Sequence, residues 1–183
     1  MAQTRKAVDR NRPRANAPEK PIGPARRSGP VIRVMRRAAC EALLRRHVVG
    51  RIAFSFHDRV DIVPIHYVLQ EGWLFARTSR GAKLTTMRHS PWVAFEVDEV
   101  DGIFDWRSVV VHGTVYEIAP DAAGTGGALW TRGVAALRKL IPKTGTEADP
   151  VPFRSVVFGI HIDTMTGRSS SSRKHPSPRS KRG

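Results

Sequence analysis

The stretch that decides the fold class is RIAFSFHDRVDIVPIHYVLQEGWLFA, residues 51–76. It contains three runs typical of strands. RIAFSF, residues 51–56, alternates apolar with smaller or polar residues as a half-buried strand does, and two further apolar-rich runs follow at residues 60–69 and 73–76. Residues 57–59 separate the first two runs, and Glu71 and Gly72 separate the second run from the third. Connections this short join only antiparallel strands, because a parallel crossover needs a dozen or more residues. The stretch therefore predicts three neighbouring antiparallel strands.

Three more strands and three helices are predicted outside this stretch. The predicted strands are Trp92–Asp98, Arg107–Ile118 and Phe153–Ile162, and the predicted helices are Arg33–His47, Gly81–Ser90 and Pro120–Ile141. The helices are segregated from the strands rather than alternating with them, which argues against a doubly wound parallel sheet. The expected fold class is mainly β with peripheral helices, arranged as a small six-stranded antiparallel barrel.

Most of the positive charge lies at the two ends of the chain. The 183 residues carry a net charge of +15, of which residues 31–167 account for only +3. Residues 1–30 and 168–183 are rich in Arg, Pro and Ser and nearly empty of large apolar side chains, so burial cannot offset the entropy of ordering them. Both ends are predicted to be disordered basic tails on one central domain. Such tails can bind nucleic acid weakly through counterion release; flexible ends that only promote solubility are the alternative.

The cysteine content indicates a protein of a reducing compartment, and the hydropathy bears on whether the chain crosses a membrane. Cys40 is the only cysteine, which excludes an internal disulfide framework. No window approaches about 18 consecutive apolar residues, so no transmembrane helix is expected. The expected location is the cytoplasm, and no membrane partner is predicted.

The stretch LFARTSRGAKL, residues 74–84, changes from a buried strand to a turn crowded with hydrogen-bond donors. Thr78 and Ser79 offer hydroxyl groups, and Arg80 and Lys83 offer positive charge. A helix that begins after this turn points its unpaired N–H groups at the same place. The combination suits a dianionic phosphate. In the alternative interpretation, Ser79 only caps the helix and the two cations are solvated.

His66 is the candidate catalytic side chain. It lies on the second predicted strand, where it could donate a hydrogen bond or act as an acid. The alternative is a structural histidine on an otherwise apolar strand. The other histidines show no metal-ligand spacing, and one cysteine does not complete a site, so no metal is expected.

Six segments occur in an order and spacing that resembles one known family. They are GRIAFS at 50–55, VPIHYV at 63–68, LFARTSRGAKL at 74–84, MRHSPWVAFEVDE at 87–99, WRSVVVHGTV at 106–115 and IHIDTMTGR at 160–168. The chain, over about residues 35–168, resembles the flavin-binding split-barrel family of pyridoxamine 5'-phosphate oxidase. The resemblance is greatest to the nitroimidazole-resistance-like branch of that family.

The resemblance implies a split β-barrel that binds FMN. The implied phosphate ligands are Thr78, Ser79, Lys83 and, as a fourth partner, Arg80. The implied residues along the isoalloxazine ring are Val63, Pro64, Ile65 and His66. Pro64 supports this placement physically, because a proline inside a strand removes a ladder donor and marks an edge, bulge or ligand-facing position.

The resemblance also implies a homodimer whose flavin sites are shared between two subunits. Each site would be completed by Trp106 and Ser108 of the partner subunit. The implied activity is that of an FMN-dependent oxidoreductase acting on a small-molecule substrate, with nitroaromatic or other small compounds as electron acceptors. The flavin would supply the redox chemistry, while the protein binds and orients it.

The sequence departs from the oxidase proper on its second strand. The segment VDIVPIHYV, residues 60–68, lacks the arginines with which the oxidase holds the phosphate of its substrate. Oxidation of pyridoxamine phosphate itself is therefore not expected. Related branches place a deazaflavin or haem in the same barrel, and these cofactors stay open. The remaining alternatives are a flavin or haem carrier without turnover and a module that binds a polyanion with its basic tails.

Overall fold

The computed structural model describes residues 29–57, 59–120 and 125–171. These residues form seven strands and three helices. In chain order they are β1 (Val31–Val34), α1 (Arg37–Arg46), β2 (Val49–Phe56), β3 (Arg59–Gln70), β4 (Trp73–Thr78), α2 (Ala82–His89), β5 (Trp92–Gly102), β6 (Asp105–Ile118), α3 (Thr125–Leu140) and β7 (Val156–Ser171). Within the described ranges, no helix combines the length and the apolar character that a membrane span requires.

The strands form one antiparallel sheet that returns on itself. Its order is β1-β7-β4-β3-β2-β5-β6, and β6 also pairs with β7. The six strands from β2 to β7 are therefore a continuous ring of neighbours, to which β1 is added on β7. The predicted fold class, a mainly β antiparallel barrel with peripheral helices, is confirmed.

The two ends of the domain differ from the sequence-based prediction. The first helix was expected from residue 33, but residues 31–34 form β1 and the helix begins at Arg37. The predicted C-terminal tail was expected from residue 168, but residues 168–171 are the end of β7. The domain boundary at residue 167 is thus four residues too early, because β1 on one side and β6 on the other give this polar segment backbone partners. Residues 1–28 and 172–183 lie outside the described residues.

Two apolar clusters hold the barrel and its helices together. The main cluster fills the ring and includes Tyr67, which is fully buried and donates its hydroxyl to the carbonyl of Leu44 on α1 at 2.6 Å. The Tyr67 ring meets Phe95 edge-on, with 4.7 Å between the ring centroids. The second cluster packs Val134 and Leu137 of α3 against the outer face of β4. The end of β4 therefore lies between the barrel interior and a helix.

Candidate functional site

The turn from β4 into α2 leaves several backbone donors without a partner. The helix begins after Gly81, and no side chain caps it. Its first backbone hydrogen bond runs from the N–H of Thr85 to the carbonyl of Gly81 at 3.1 Å, so the three N–H groups before it have no acceptor within the helix. The interpretation in which Ser79 caps this helix is wrong. A methyl group built on Gly81 would meet no atom within 4 Å, so the space beside these donors is open.

Hydroxyl groups and cations surround the same turn. Thr78 is 3% exposed at the end of β4, while Ser79 and Arg80 are exposed. Neither hydroxyl group makes a hydrogen bond to any other described residue. Lys83 is half-buried, and burial, together with the nearby charge of Arg154, holds its pKa below the usual value. The structure thus brings together the four residues that the sequence assigned to a phosphate.

Arg154 is a further cation at this turn, and the sequence analysis missed it. Val156 of β7 is the strand partner of Thr78, so the residues just before Val156 lie beside those just after Thr78. No described carboxylate forms an ion pair with Arg80, Lys83 or Arg154. The turn therefore carries three cations without a counter-ion among residues 29–57, 59–120 and 125–171. Arg154 lies in no motif, and only the β4–β7 register reveals its position.

The neighbouring strand β3 has an open edge beside the turn. β3 pairs with β2 from Arg59 to His66, but it pairs with β4 only from Tyr67 to Gln70. Tyr67 donates its N–H to Val48. Along an antiparallel strand, the backbone N–H and C=O groups of successive residues point to opposite sides. Since Tyr67 points to β2, the backbone groups of residues 62 and 64 point away from β2, towards the unpaired side. Pro64 lies on this edge, where its missing N–H interrupts no ladder.

The side chains of the predicted ring-binding residues lie on both faces of β3, one exposed and one in the barrel core. Pro64 and His66 are exposed, Val63 is half-buried, and Ile65 is 5% exposed in the barrel core. Ile65 could therefore contribute only its backbone to a surface ligand. His66 lines a narrow cleft together with Arg77 and Arg154. The cleft therefore brings one residue of β3 close to Arg154.

Trp106 and Ser108 lie on β6, a different strand from those that form the turn. In the sheet, β6 pairs with β5 and β7 but with neither β3 nor β4. Strand pairing within one subunit therefore does not place Trp106 or Ser108 beside the turn.

Large apolar side chains are exposed next to both groups. Val60 and Ile62 are 67% and 64% exposed on the unpaired half of β3. Val100 and Ile103 are 66% and 83% exposed in the hairpin that leads to Trp106. Exposed apolar side chains that cluster in this way are typical of interaction surfaces.

The largest cleft lies elsewhere, on the other side of α3. It has a volume of about 440 Å³, and its walls include Trp73, Tyr116 and Leu129. Arg132 also lines it and is paired with Glu71 at 2.8 Å. The cleft shares no residue with the cationic turn.

Comparison with known proteins identifies the class to which this fold and site belong. The family model for pyridoxamine 5'-phosphate oxidase matches residues 36–169. The chain belongs to this family, as its resemblance to the split-barrel family predicted. An uncharacterised protein of Rhizobium meliloti is 32% identical over 87 residues, which cover 48% of this chain and 58% of that protein. The match thus spans little more than half the length of that relative.

Solved structures share the fold. A FAD-binding protein from Mesorhizobium loti is 28% identical, with a TM-score of 0.61, and the match covers 78% of this chain and 99% of that one. A candidate 5-nitroimidazole antibiotic resistance protein from Bacteroides thetaiotaomicron has the same fold at 14% identity, with a TM-score of 0.60 and coverage of 78% and 89%. Haem-binding proteins also occur among the structures with this fold.

Proposed function

We propose that this protein is a homodimeric, FMN-binding oxidoreductase whose flavin phosphate lies at the turn between β4 and α2. One observation carries the proposal: a family member presents three cations without a carboxylate partner beside the uncapped start of a helix. Unpaired cations repel one another unless an anion joins them. The relative from Mesorhizobium loti is described as binding FAD, which supports a flavin rather than another anion.

The residues present fit a flavin monophosphate. Thr78 and Ser79 would donate their free hydroxyls to phosphate oxygens, and the first N–H groups of α2 would add backbone donors. Lys83 and Arg80 would supply charge. Each charge-assisted hydrogen bond of this kind stabilises a complex by roughly 1.5–3 kcal/mol.

The open edge of β3 suits the polar side of the isoalloxazine ring. Backbone groups of residues 62 and 64 are directed to the unpaired side, as the pairing of Tyr67 with Val48 requires. His66 is exposed at the end of this edge and could donate a hydrogen bond or a proton there. When bound, the flavin would accept and pass on electrons, while these residues orient it and exclude water from one side.

Absorption spectroscopy tests the cofactor. Protein purified with its native ligand should be yellow, and chromatography of the released ligand against FMN, FAD, deazaflavin and haem standards identifies it. The proposal expects FMN and reduction of small acceptors, with nitroaromatic compounds assayed first. Protein that is colourless and also leaves the fluorescence of added FMN unchanged would contradict the proposal.

The position of Trp106 on a strand that does not pair with β3 or β4 supports a site shared by two subunits. A two-fold dimer can place Trp106 and Ser108 of one chain against the β3 edge of the other, and the exposed apolar residues would then be covered. Complementation tests this arrangement. Dimers of Lys83→Ala and dimers of Trp106→Ala should each bind FMN poorly, because both sites are damaged in each.

Mixed dimers of the two variants distinguish a shared site from a separate one. If sites are shared, every mixed dimer has one intact site and one doubly damaged site, so random mixing restores about one quarter of all sites. Co-refolding followed by FMN titration measures this fraction. No recovery in verified mixed dimers would mean that Trp106 does not complete the partner's site.

A further inference from the structure

We propose that Arg154 binds the terminal phosphate of FMN, as a third cationic residue delivered by the segment that precedes β7. This inference rests on the proposed function and adds a ligand from a segment that belongs to none of the six segments that carry the resemblance. It assigns to the segment 141–155 the role of positioning that residue.

The strand register places Arg154 at the turn. Thr78, the last residue of β4, is aligned with Val156, the first residue of β7. β4 and β7 run in opposite directions. Continuing their alignment past the ends of the two strands therefore brings Arg154 opposite Arg80. The backbone carbonyl of Arg154 accepts a hydrogen bond of 2.8 Å from Nε of Arg77, which fixes this approach.

A buried ion pair holds the segment in place. The guanidinium of Arg77 donates to both carboxylate oxygens of Asp149, at 2.7 and 3.2 Å. The same carboxylate accepts the N–H groups of Gly145 at 2.8 Å and Val151 at 3.0 Å. The side chains of Arg77 and Asp149 are only 8% and 3% exposed. The backbone that leads to Arg154 is thus fixed at several points, whereas the guanidinium of Arg154 has no hydrogen-bond or ion-pair partner among the described residues.

The local charge favours an anion between Arg154 and its neighbours. Burial is the main cause of the lowered pKa of Lys83, and the charge of Arg154 adds to it. A dianion that lies between Lys83 and Arg154 would offset this unfavourable interaction of Lys83. Arg154 also lines the small cleft that contains His66 of β3.

A packing role is the competing explanation. The guanidinium carbon of Arg154 lies 5.8 Å from the ring centroid of Phe153, a cation–π distance. Phe153 is 64% exposed. In this explanation Arg154 only covers Phe153, and its replacement would leave phosphate binding unchanged.

Flavin titrations of the full-length protein separate the two explanations. FMN and riboflavin differ only by the phosphate, so a phosphate ligand affects the first and spares the second. For Arg154→Gln we expect the dissociation constant for FMN to rise about 10-fold or more, with that for riboflavin within about 2-fold of wild type. Lys143→Gln is the matched control, since it removes one positive charge from an exposed site in the same segment and should change neither constant by more than about 2-fold.

The outcomes are distinguishable from failure of the proposed function. If wild-type protein binds neither FMN nor riboflavin, the proposed function itself is wrong and so is this inference. If wild type binds FMN and Arg154→Gln binds it equally well, only the inference is overturned. Equal losses for FMN and riboflavin, or a loss confined to FAD, would also overturn it. Partial recovery of FMN affinity in Arg154→Lys would support the role of the charge.

Discussion

Two charged groups lie side by side at the end of β4, and they differ in one respect. Arg77 is buried and fully paired, with Asp149 and three backbone carbonyls or hydroxyls as acceptors. The next residues begin a turn whose cations, Arg80 and Lys83, pair with no carboxylate in the described ranges. The first group is completed by folding alone. In the proposed function, the second group is completed by a bound anion.

The difference separates residues that stabilise the fold from residues that bind a ligand. Removing the carboxylate of the first group should cost folding free energy and leave a buried, unpaired cation. Removing a cation of the second group should cost little folding free energy and should instead weaken ligand binding.

Asp149→Ala should lower the free energy of unfolding by about 3–5 kcal/mol, because it leaves Arg77 buried without its counter-ion. Urea unfolding followed by circular dichroism measures the loss. Glu71→Ala is the control, since the Glu71–Arg132 pair is largely exposed and should contribute less than about 1 kcal/mol. Equal losses in the two variants would show that the Arg77–Asp149 pair is not a structural centre.

Lys83→Ala should weaken FMN binding about 10- to 100-fold, the effect of losing one charge-assisted hydrogen bond to the phosphate. Its free energy of unfolding without FMN should stay within about 0.5 kcal/mol of wild type or rise, since Lys83 is a half-buried cation without a partner. Isothermal titration and urea unfolding measure the two quantities. Lys139→Ala, on exposed α3 surface, should leave FMN affinity unchanged. A large loss of folding free energy in Lys83→Ala would show that Lys83 stabilises the fold, as Arg77 does, and would contradict the division between the two groups.

Acid should destabilise the protein through Asp149. Hydrogen bonds from Arg77, helped by the N–H groups of Gly145 and Val151 and opposed by burial, lower the pKa of Asp149 to about 2, from a usual 3.8. The unfolded chain therefore binds a proton in the interval where the folded chain does not, and stability falls as pH drops from about 4 to about 2.

Unfolding free energies measured between pH 6 and about 2 test the contribution of Asp149. In Asp149→Asn the decrease on acidification should be smaller than in wild type. Asp101→Asn changes an exposed carboxylate and should retain the wild-type decrease. Parallel curves for wild type and Asp149→Asn would assign the acid sensitivity to other carboxylates.

FMN affinity should change modestly with alkaline pH through Lys83. Burial, and then Arg154, lower the pKa of Lys83 in the free protein, and a bound phosphate should raise it again. At a pH above the pKa of Lys83 in the free protein, FMN binding would be accompanied by protonation of Lys83. The affinity for FMN should therefore fall by a few-fold as the pH rises through that pKa. Lys83→Ala should not show this fall. A wild-type profile that matches that of Lys83→Ala would remove Lys83 from the phosphate site.

The sequence predicted the ring of strands because its signal is local. Apolar alternation and short connections in residues 51–76 determine which strands are neighbours, and the donors at Thr78 to Lys83 are adjacent in the chain. The structure confirms the resulting barrel. The last strand was predicted to end at Ile162, nine residues before the end of β7 at Ser171. The final four of these residues, RSSS at 168–171, have no strand pattern. Those residues are in a strand only because β1 and β6 lie on either side of them.

Arg154 could not be predicted for a different reason. Its place at the turn depends on the alignment of β4 with β7, two strands separated by more than seventy residues. That alignment is set by packing and by the Arg77–Asp149 pair, neither of which leaves a short-range pattern. Trp106 and Ser108 entered only through the family resemblance, and their position in a shared site stays a prediction.

The Arg77–Asp149 pair also protects the alignment of β4 against sliding. Successive side chains of a strand point to opposite faces, so moving β4 by one residue along β7 would put Arg77 in the place of Ala76 or of Thr78. The guanidinium would then enter the apolar interior beside Phe158 or Val156, and Asp149 would lose its partner. One ion pair thus penalises the nearest misfolded arrangement, in which the turn proposed to bind phosphate would be built from the wrong residues.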